Sequence, residues 1–189
     1  MQDQERRDHA GRAQPAPGSH ELRFDFPALR VGIAENEAGP TGCTVLHFEK
    51  GANCAVDVRG GSPGLLGDYP WVEAICLAGG SLYGLEAATG VSAALLEDRG
   101  GSVGWGKIAV VSGAIIYDFG SRDNALYPDK ALGAAAFRNA RPGVFPQGRR
   151  GAGRSASVGK FPDHPRYRRE PAGQGAAFAI VGSARVFVA

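Results

Sequence analysis

The sequence predicts an α/β fold on three observations. Short runs with period-two or wholly apolar, β-branched character lie between Gly/Pro/Asn turns from Leu22 onward. A buried-strand candidate, Val72 to Ala78, runs straight into a segment with three- and four-residue apolar steps, Ser81 to Arg99. A second apolar β-branched run, Ile108 to Phe119, is followed by a second helix-like stretch opened by Pro128-Asp129.

Residues 1–20 mix charges with Ala, Pro and Gly and contain no large apolar side chain after Met1, so a disordered polar tail is expected there. They also lack the apolar centre of a signal peptide. A partial domain is expected over 21–189. Leu22 to Phe26 alternates as a strand does, and Val31, Ile33, then Val45, Leu46, Phe48, then Val56, Val58 continue that behaviour. In the first helix Ser81 can cap the start and Gly100 the end. Its small residues, among them Gly84, Ala88 and Gly90, suit close packing. Ile108 to Phe119 reads as one or two buried strands, and the second helix should end before Pro142. Beyond it the chain is glycine-rich and basic to Lys160, then proline-punctuated. It closes on apolar Gly175–Phe178 and Ala184–Ala189. An apolar strand with no polar exit suggests a chain cut within a domain.

Composition narrows the function classes. The 189 residues include 29 glycines, with 43% hydrophobic and 21% charged residues, a globular balance. No apolar run reaches the ~18 residues of a membrane span, so no membrane partner is expected. Three cysteines exclude a disulfide scaffold, and the odd count fits a reducing, cytoplasmic setting. The net charge of +2 hides a split. Residues 1–130 hold 11 Lys+Arg against 17 Asp+Glu, whereas 131–189 hold 10 against 2. The 138–169 basic block therefore offers an alternative function, a non-catalytic anion- or nucleic-acid-binding module. No nucleic-acid-binding motif accompanies it, and a solvated basic loop explains it more simply.

Several motifs fail on context. Gly79-Gly80-Ser81-Leu82-Tyr83-Gly84 lies between strand and helix, but it lacks the Lys-Ser/Thr of a phosphate loop. Its amides could instead face a substrate carbonyl or oxyanion, which makes Gly79, Gly80 and Ser81 candidate substrate-binding residues. Gly100-Gly101-Ser102-Val103-Gly104 matches a nucleophile elbow, yet a helix enters it where a strand should. Ser157-Val158-Gly159-Lys160 spells S-x-x-K without helical context or companion motifs. Lys160 itself sits among small residues, where partial desolvation would favour base chemistry over a plain surface charge. Cys43, Cys54, Cys76 and the histidines show no ligand spacing, so neither a metal nor another cofactor is expected. Cys43 and Cys76 read as buried fillers.

A set of segments in fixed order carries a resemblance. It begins with Leu22-Arg-Phe-Asp-Phe-Pro27, Gly39-Pro-Thr-Gly42 and Ala55-Val-Asp-Val-Arg-Gly-Gly61. It continues through Ala74-Ile-Cys-Leu-Ala-Gly-Gly80, Tyr83-Gly-Leu-Glu-Ala87, Ile115-Ile-Tyr-Asp-Phe119 and Tyr127-Pro-Asp-Lys-Ala-Leu-Gly133. Phe145-Pro-Gln-Gly148, Gly151 to Lys160 and Gly173-Gln-Gly-Ala-Ala-Phe178 complete it. From about Leu22 to Ala189 the chain resembles the self-cleaving aminopeptidases, which include L-aminopeptidase/D-esterase and β-peptidyl aminopeptidases. Within them it is most similar to the nylon-oligomer (6-aminohexanoate-oligomer) hydrolases.

That resemblance implies a four-layer α/β/β/α sandwich, incomplete at the C-terminus. It also implies a precursor that cuts itself into a large and a small fragment, whose new N-terminal Thr or Ser is the nucleophile. Lys160 matches the family's active-site lysine. Tyr117 matches the tyrosine that lines the site and can donate to the developing oxyanion, although taken alone it would read as a buried strand tyrosine. The family's catalytic Asn and the cleavage junction would lie beyond Ala189. The implied partners are therefore the small fragment carrying the nucleophile, a peptide or amide-oligomer substrate, and further copies in a homo-oligomer. Residues 1–189 alone are expected to be inactive.

Overall fold

A computed structural model describes residues 21–59, 63–119, 123–158 and 170–171. The expected polar tail, Lys160 and the apolar C-terminal segments lie outside the described residues.

Among the described residues, ten strands and two α-helices build a mixed α/β arrangement. In chain order they are β1 (Glu21–Arg23), β2 (Leu29–Asn36), β3 (Thr41–Asn53), β4 (Leu65–Leu66), β5 (Trp71–Ala78) and α1 (Glu86–Asp98). There follow β6 (Val111–Ile115), α2 (Lys130–Arg138), β7 (Arg141–Pro142), β8 (Val144–Pro146), β9 (Ser157–Val158) and β10 (Glu170–Pro171). Six strands form one sheet in the order β4-β6-β5-β3-β2-β7. β2, β3 and β5 pair antiparallel, with Val31 opposite Leu46 and Val45 opposite Cys76. β5 and β6 are parallel. A parallel pair needs a crossover, and α1 supplies it. Short antiparallel pairs β1–β8 and β9–β10 stand apart from the large sheet.

The side chains alternate across the large sheet. Cys43, Val45, Ala74, Cys76 and Ala78 face the helices and are buried against Ala87, Ala88, Val91, Ala136 and Phe137. Both cysteines are thus core fillers. Burial and the neighbouring Cys43 push the Cys76 thiol well up. Leu29, Val31, Leu46 and Phe48 point the other way and pack with Phe145, while Leu77 and Ala114 on the same face pack with Ala152. The described elements supply one helical layer and one large sheet. The second sheet and second helical layer of the expected sandwich are not among them.

The helices approach each other through two reciprocal glycines. A Cβ on Gly90 would lie 2.1 Å from Lys130 O, and one on Gly133 would lie 2.0 Å from Ala87 O. The small residues of α1 therefore serve helix–helix packing as well as the sheet, where Gly113 faces Ala88. α2 begins where Asp129 accepts a hydrogen bond from Leu132 N at 2.8 Å. α1 stops at Gly100, which adopts φ +63°.

Other boundaries differ from expectation. The turn Ser81–Leu85 is 3-10 in form, and the α-helix starts only at Glu86. Ser81 makes no capping bond because its hydroxyl accepts from Phe119 N at 3.4 Å instead. Leu82, placed by its spacing on the apolar face, is 53% exposed. Residues 54–59 carry no strand despite Val56 and Val58, β1 covers only the start of Leu22–Phe26, and the run from Ile108 yields one strand, β6.

His47 on β3 packs edge-on to Phe137, with ring centroids 4.8 Å apart. Desolvation lowers its pKa below 6.5, helped by Arg30 and opposed by Glu49, Glu73 and Asp98. The fold thus favours the neutral ring, and the unfolded chain takes up the proton first as pH falls. Stability should be unaffected by this group above pH 6.5 and decline below it. Urea midpoints from pH 7.5 to 5 should fall more steeply for the native chain than for His47→Leu. Parallel curves would remove His47 as the cause.

Candidate active site

Four strand ends meet at one edge of the large sheet. β5 and β6 leave there at their carboxyl ends, β2 ends at Asn36, and β3 starts at Thr41, opposite that residue. In parallel α/β segments the carboxyl ends collect the loops that bind ligands.

The β5 exit is the turn Gly79-Gly80-Ser81. Gly80 adopts φ +86° and Ser81 φ +55°, and Ser81 is the one non-glycine residue with positive φ among those described. A left-handed serine costs about 1–3 kcal/mol, and such strain persists where the surroundings over-determine it. Here they do. Gly79 N donates to Gly42 O at 2.9 Å and Ser81 N to Ile116 O at 3.1 Å. Gly80 N donates to Asp118 Oδ1 at 2.8 Å. All three amides are therefore engaged inside the fold. An oxyanion reaching for one of them would compete with these bonds. The Ser81 hydroxyl accepts from Phe119 N.

Asp118 is the hub of the site. It follows β6, is fully buried, and accepts from Gly80 N on one oxygen and from the Ser155 hydroxyl on the other. A Cβ on Gly79 would come within 2.5 Å of Thr41 Oγ1 and 2.6 Å of Asp118 Oδ2, so only glycine leaves room for these two oxygens. Thr41 Oγ1 is buried and has no hydrogen-bond partner among the described residues. Tyr117, the preceding residue, turns outward and is 37% exposed. It is not the buried strand tyrosine that its apolar neighbours suggested.

The glycine-rich loop reaches the same edge through a second, largely sheltered carboxylate. Glu35 accepts from Gly151 N at 2.7 Å, Arg150 Nε at 3.1 Å and Arg154 Nη1 at 3.4 Å. Arg154 also donates to Glu37 at 2.5 Å, and Ala152 N donates to Thr44 Oγ1 at 3.1 Å. Burial and the adjacent Arg154 hold the Arg149 guanidinium below its ordinary value. Much of the basic block is thus spent internally, with Arg138 paired to Glu97 and Arg150 and Arg154 to glutamates.

The structure brings Gly79, Gly80, Ser81 and Tyr117 together at one edge, and Ser155 brings the loop leading towards Lys160 to the same place. Lys160 lies outside the described residues. Sequence reasoning passed over Asp118, Thr41, Ser155, Glu35 and Arg154. Asp118 had a visible signal, a carboxylate separated by one tyrosine from the four-residue apolar and glycine run Gly113–Ile116. Glu35 and Arg154, 119 positions apart, had none.

Residues 24–162 match the model of peptidase family S58. The 6-aminohexanoate-oligomer endohydrolase of a Kocuria species is 56% identical over 169 residues, covering 89% of this chain and 47% of that protein. Its counterpart in Paenarthrobacter ureafaciens is 55% identical over the same coverage. An uncharacterised aminopeptidase of Mycobacterium leprae is 38% identical over 104 residues, 50% of this chain and 29% of that one. A Burkholderia beta-aminopeptidase shares the fold at TM-score 0.53 and 20% identity, covering 75% of this chain and 45% of the other. The chain thus spans about half the length of the 6-aminohexanoate-oligomer endohydrolases it matches.

Proposed function

The chain belongs to peptidase family S58, and from that premise we propose that it forms most of the large fragment of an amide-bond hydrolase of the aminopeptidase or 6-aminohexanoate-oligomer hydrolase type. The nucleophile is an N-terminal Thr or Ser released by self-cleavage in a segment outside residues 1–189, and these residues alone do not hydrolyse amides. One observation carries this reading. Asp118 joins the β5 exit, the β6 exit and the 151–158 loop at a single buried point, and Lys160 follows that loop by two positions in the sequence.

Each residue then has a role. Lys160 stabilises charge at or beside the nucleophile, where a desolvated ammonium interacts more strongly than it would in water. Tyr117, exposed at the β6 exit, donates to the developing oxyanion. Gly79 and Gly80 shape the substrate wall while their amides hold the turn, and Ser81 contributes its hydroxyl. Asp118 is a positioning residue that sets the distance between these groups. The complete assembly is a homo-oligomer.

The test compares residues 1–189 with the complete precursor on a linear 6-aminohexanoate oligomer. The precursor should split in two and release product, and Lys160→Ala should abolish both steps. The shorter chain should show no turnover above buffer. Turnover by the shorter chain, or an unsplit precursor with full activity, would contradict the proposal.

A further inference from the structure

Beside the β5 exit lies an aromatic surface that no role above uses. Tyr83 stacks at a tilt on Phe119 and Tyr127, with ring centroids 5.7 Å and 5.6 Å apart. Tyr83 is 64% exposed. Contiguous aromatic surface held in water generally marks a place where something apolar docks.

The surface is continuous with the site. Tyr83 follows Ser81 by two residues, and Phe119 follows Asp118 and donates its amide to the Ser81 hydroxyl. The Cβ of Tyr127 lies over Gly80, 2.6 Å from where a side chain would begin. A chain held on these rings would extend directly from the Gly80–Asp118 point.

We propose that Tyr83, Phe119 and Tyr127 form a subsite for the unbranched apolar spacer of an amide substrate, with Tyr83 as a specificity-determining residue. The inference rests on the amide-hydrolase reading and names the substrate class it favours. An α-peptide laid along this edge would call for main-chain donors. The three turn amides are already committed to Gly42, Asp118 and Ile116. A polymethylene segment asks for none, because its stabilisation comes from apolar area and contact with the ring faces. The surface therefore selects substrates whose amides are separated by several methylenes.

Isotope-labelled residues 1–189 would be titrated with the linear 6-aminohexanoate dimer and, separately, with a glycine peptide of matched length. The dimer should shift the Tyr83, Phe119 and Tyr127 amide resonances saturably. Tyr83→Ser should weaken its binding by about five- to tenfold, and Tyr83→Phe should retain it. The subsite is overturned if the dimer does not bind, if the glycine peptide binds as well, or if Tyr83→Ser changes nothing. It is also overturned if the same resonances shift with protein concentration alone, which would place a second copy on the rings. Binding requires no cleavage, so an inactive precursor would defeat the hydrolase reading and leave this titration standing. An active precursor whose substrate preference survives Tyr83→Ser would defeat the subsite alone.

Discussion

Asp118→Ala should destabilise the protein by about 2–4 kcal/mol, because the buried Gly80 amide loses its acceptor, at roughly 1–3 kcal/mol, and the Ser155 hydroxyl loses one hydrogen bond, worth about 0.5–1.5 kcal/mol. The donors are the Gly80 amide and the Ser155 hydroxyl, and both bonds are buried. The loss would fall on the three segments that define the candidate site. Amide exchange at Gly80 should accelerate well beyond the change in global unfolding, because the left-handed pair Gly80-Ser81 loses the bond that holds it. Asp118→Asn should cost less than alanine. Its carbonyl oxygen can still accept from Gly80 N, and the Ser155 hydroxyl can turn to accept from the new amide. Urea denaturation and amide exchange on the three proteins test this. An alanine variant within about 0.5 kcal/mol of the native chain, the range of ordinary surface substitutions, would show that Asp118 is not the hub.

Glu35→Ala should release the glycine-rich loop. Arg154 has a side chain 10% exposed and Glu35 one that is 11% exposed, so their pairing is largely sheltered. Without Glu35 the Gly151 amide and the Arg150 guanidinium lose their acceptor. Arg154 is left with Glu37 alone, whose side chain is 77% exposed. Breaking one side of a buried pair costs about 3–5 kcal/mol, and the surviving Glu37 contact places the expected loss near the lower end, about 3 kcal/mol. Glu35→Gln keeps an acceptor for Gly151 N and should lose roughly half of that. Trypsin reports the loop directly. Cleavage after Arg149, Arg150 and Arg154 should be slow in the native chain and much faster in Glu35→Ala. Equal rates would mean that the carboxylate does not anchor the loop.

Local features of the fold were legible because local chemistry sets them. The three- and four-residue apolar steps found α1, Asp129 marked the start of α2, and Gly100 marked a stop. Each signal depends on backbone geometry within a few residues. The β5–α1–β6 unit followed from a strand running into a helix and a second apolar run after it. The errors arose where a distant partner outbid a local preference. Ser81 looked like a helix cap, but Phe119, 38 positions away, took its hydroxyl and the turn became 3-10. The basic block read most simply as a solvated loop, whereas Arg138, Arg150 and Arg154 pair with Glu97, Glu35 and Glu37.

What the sequence alone determined was the α/β class, the stop of α1 and the start of α2 and, through ordered motifs, the family. Those properties repeat with a short period or lie in contiguous words. Only the tertiary structure decided which residues hold the site together. Asp118 with Gly80 and Ser155, and Glu35 with Arg150 and Arg154, are joined across 37 to 119 positions. Such pairs have no periodicity to read. Packing the sheet brings their carriers to one edge, and the cost of leaving a buried polar group unpaired selects the partners found there.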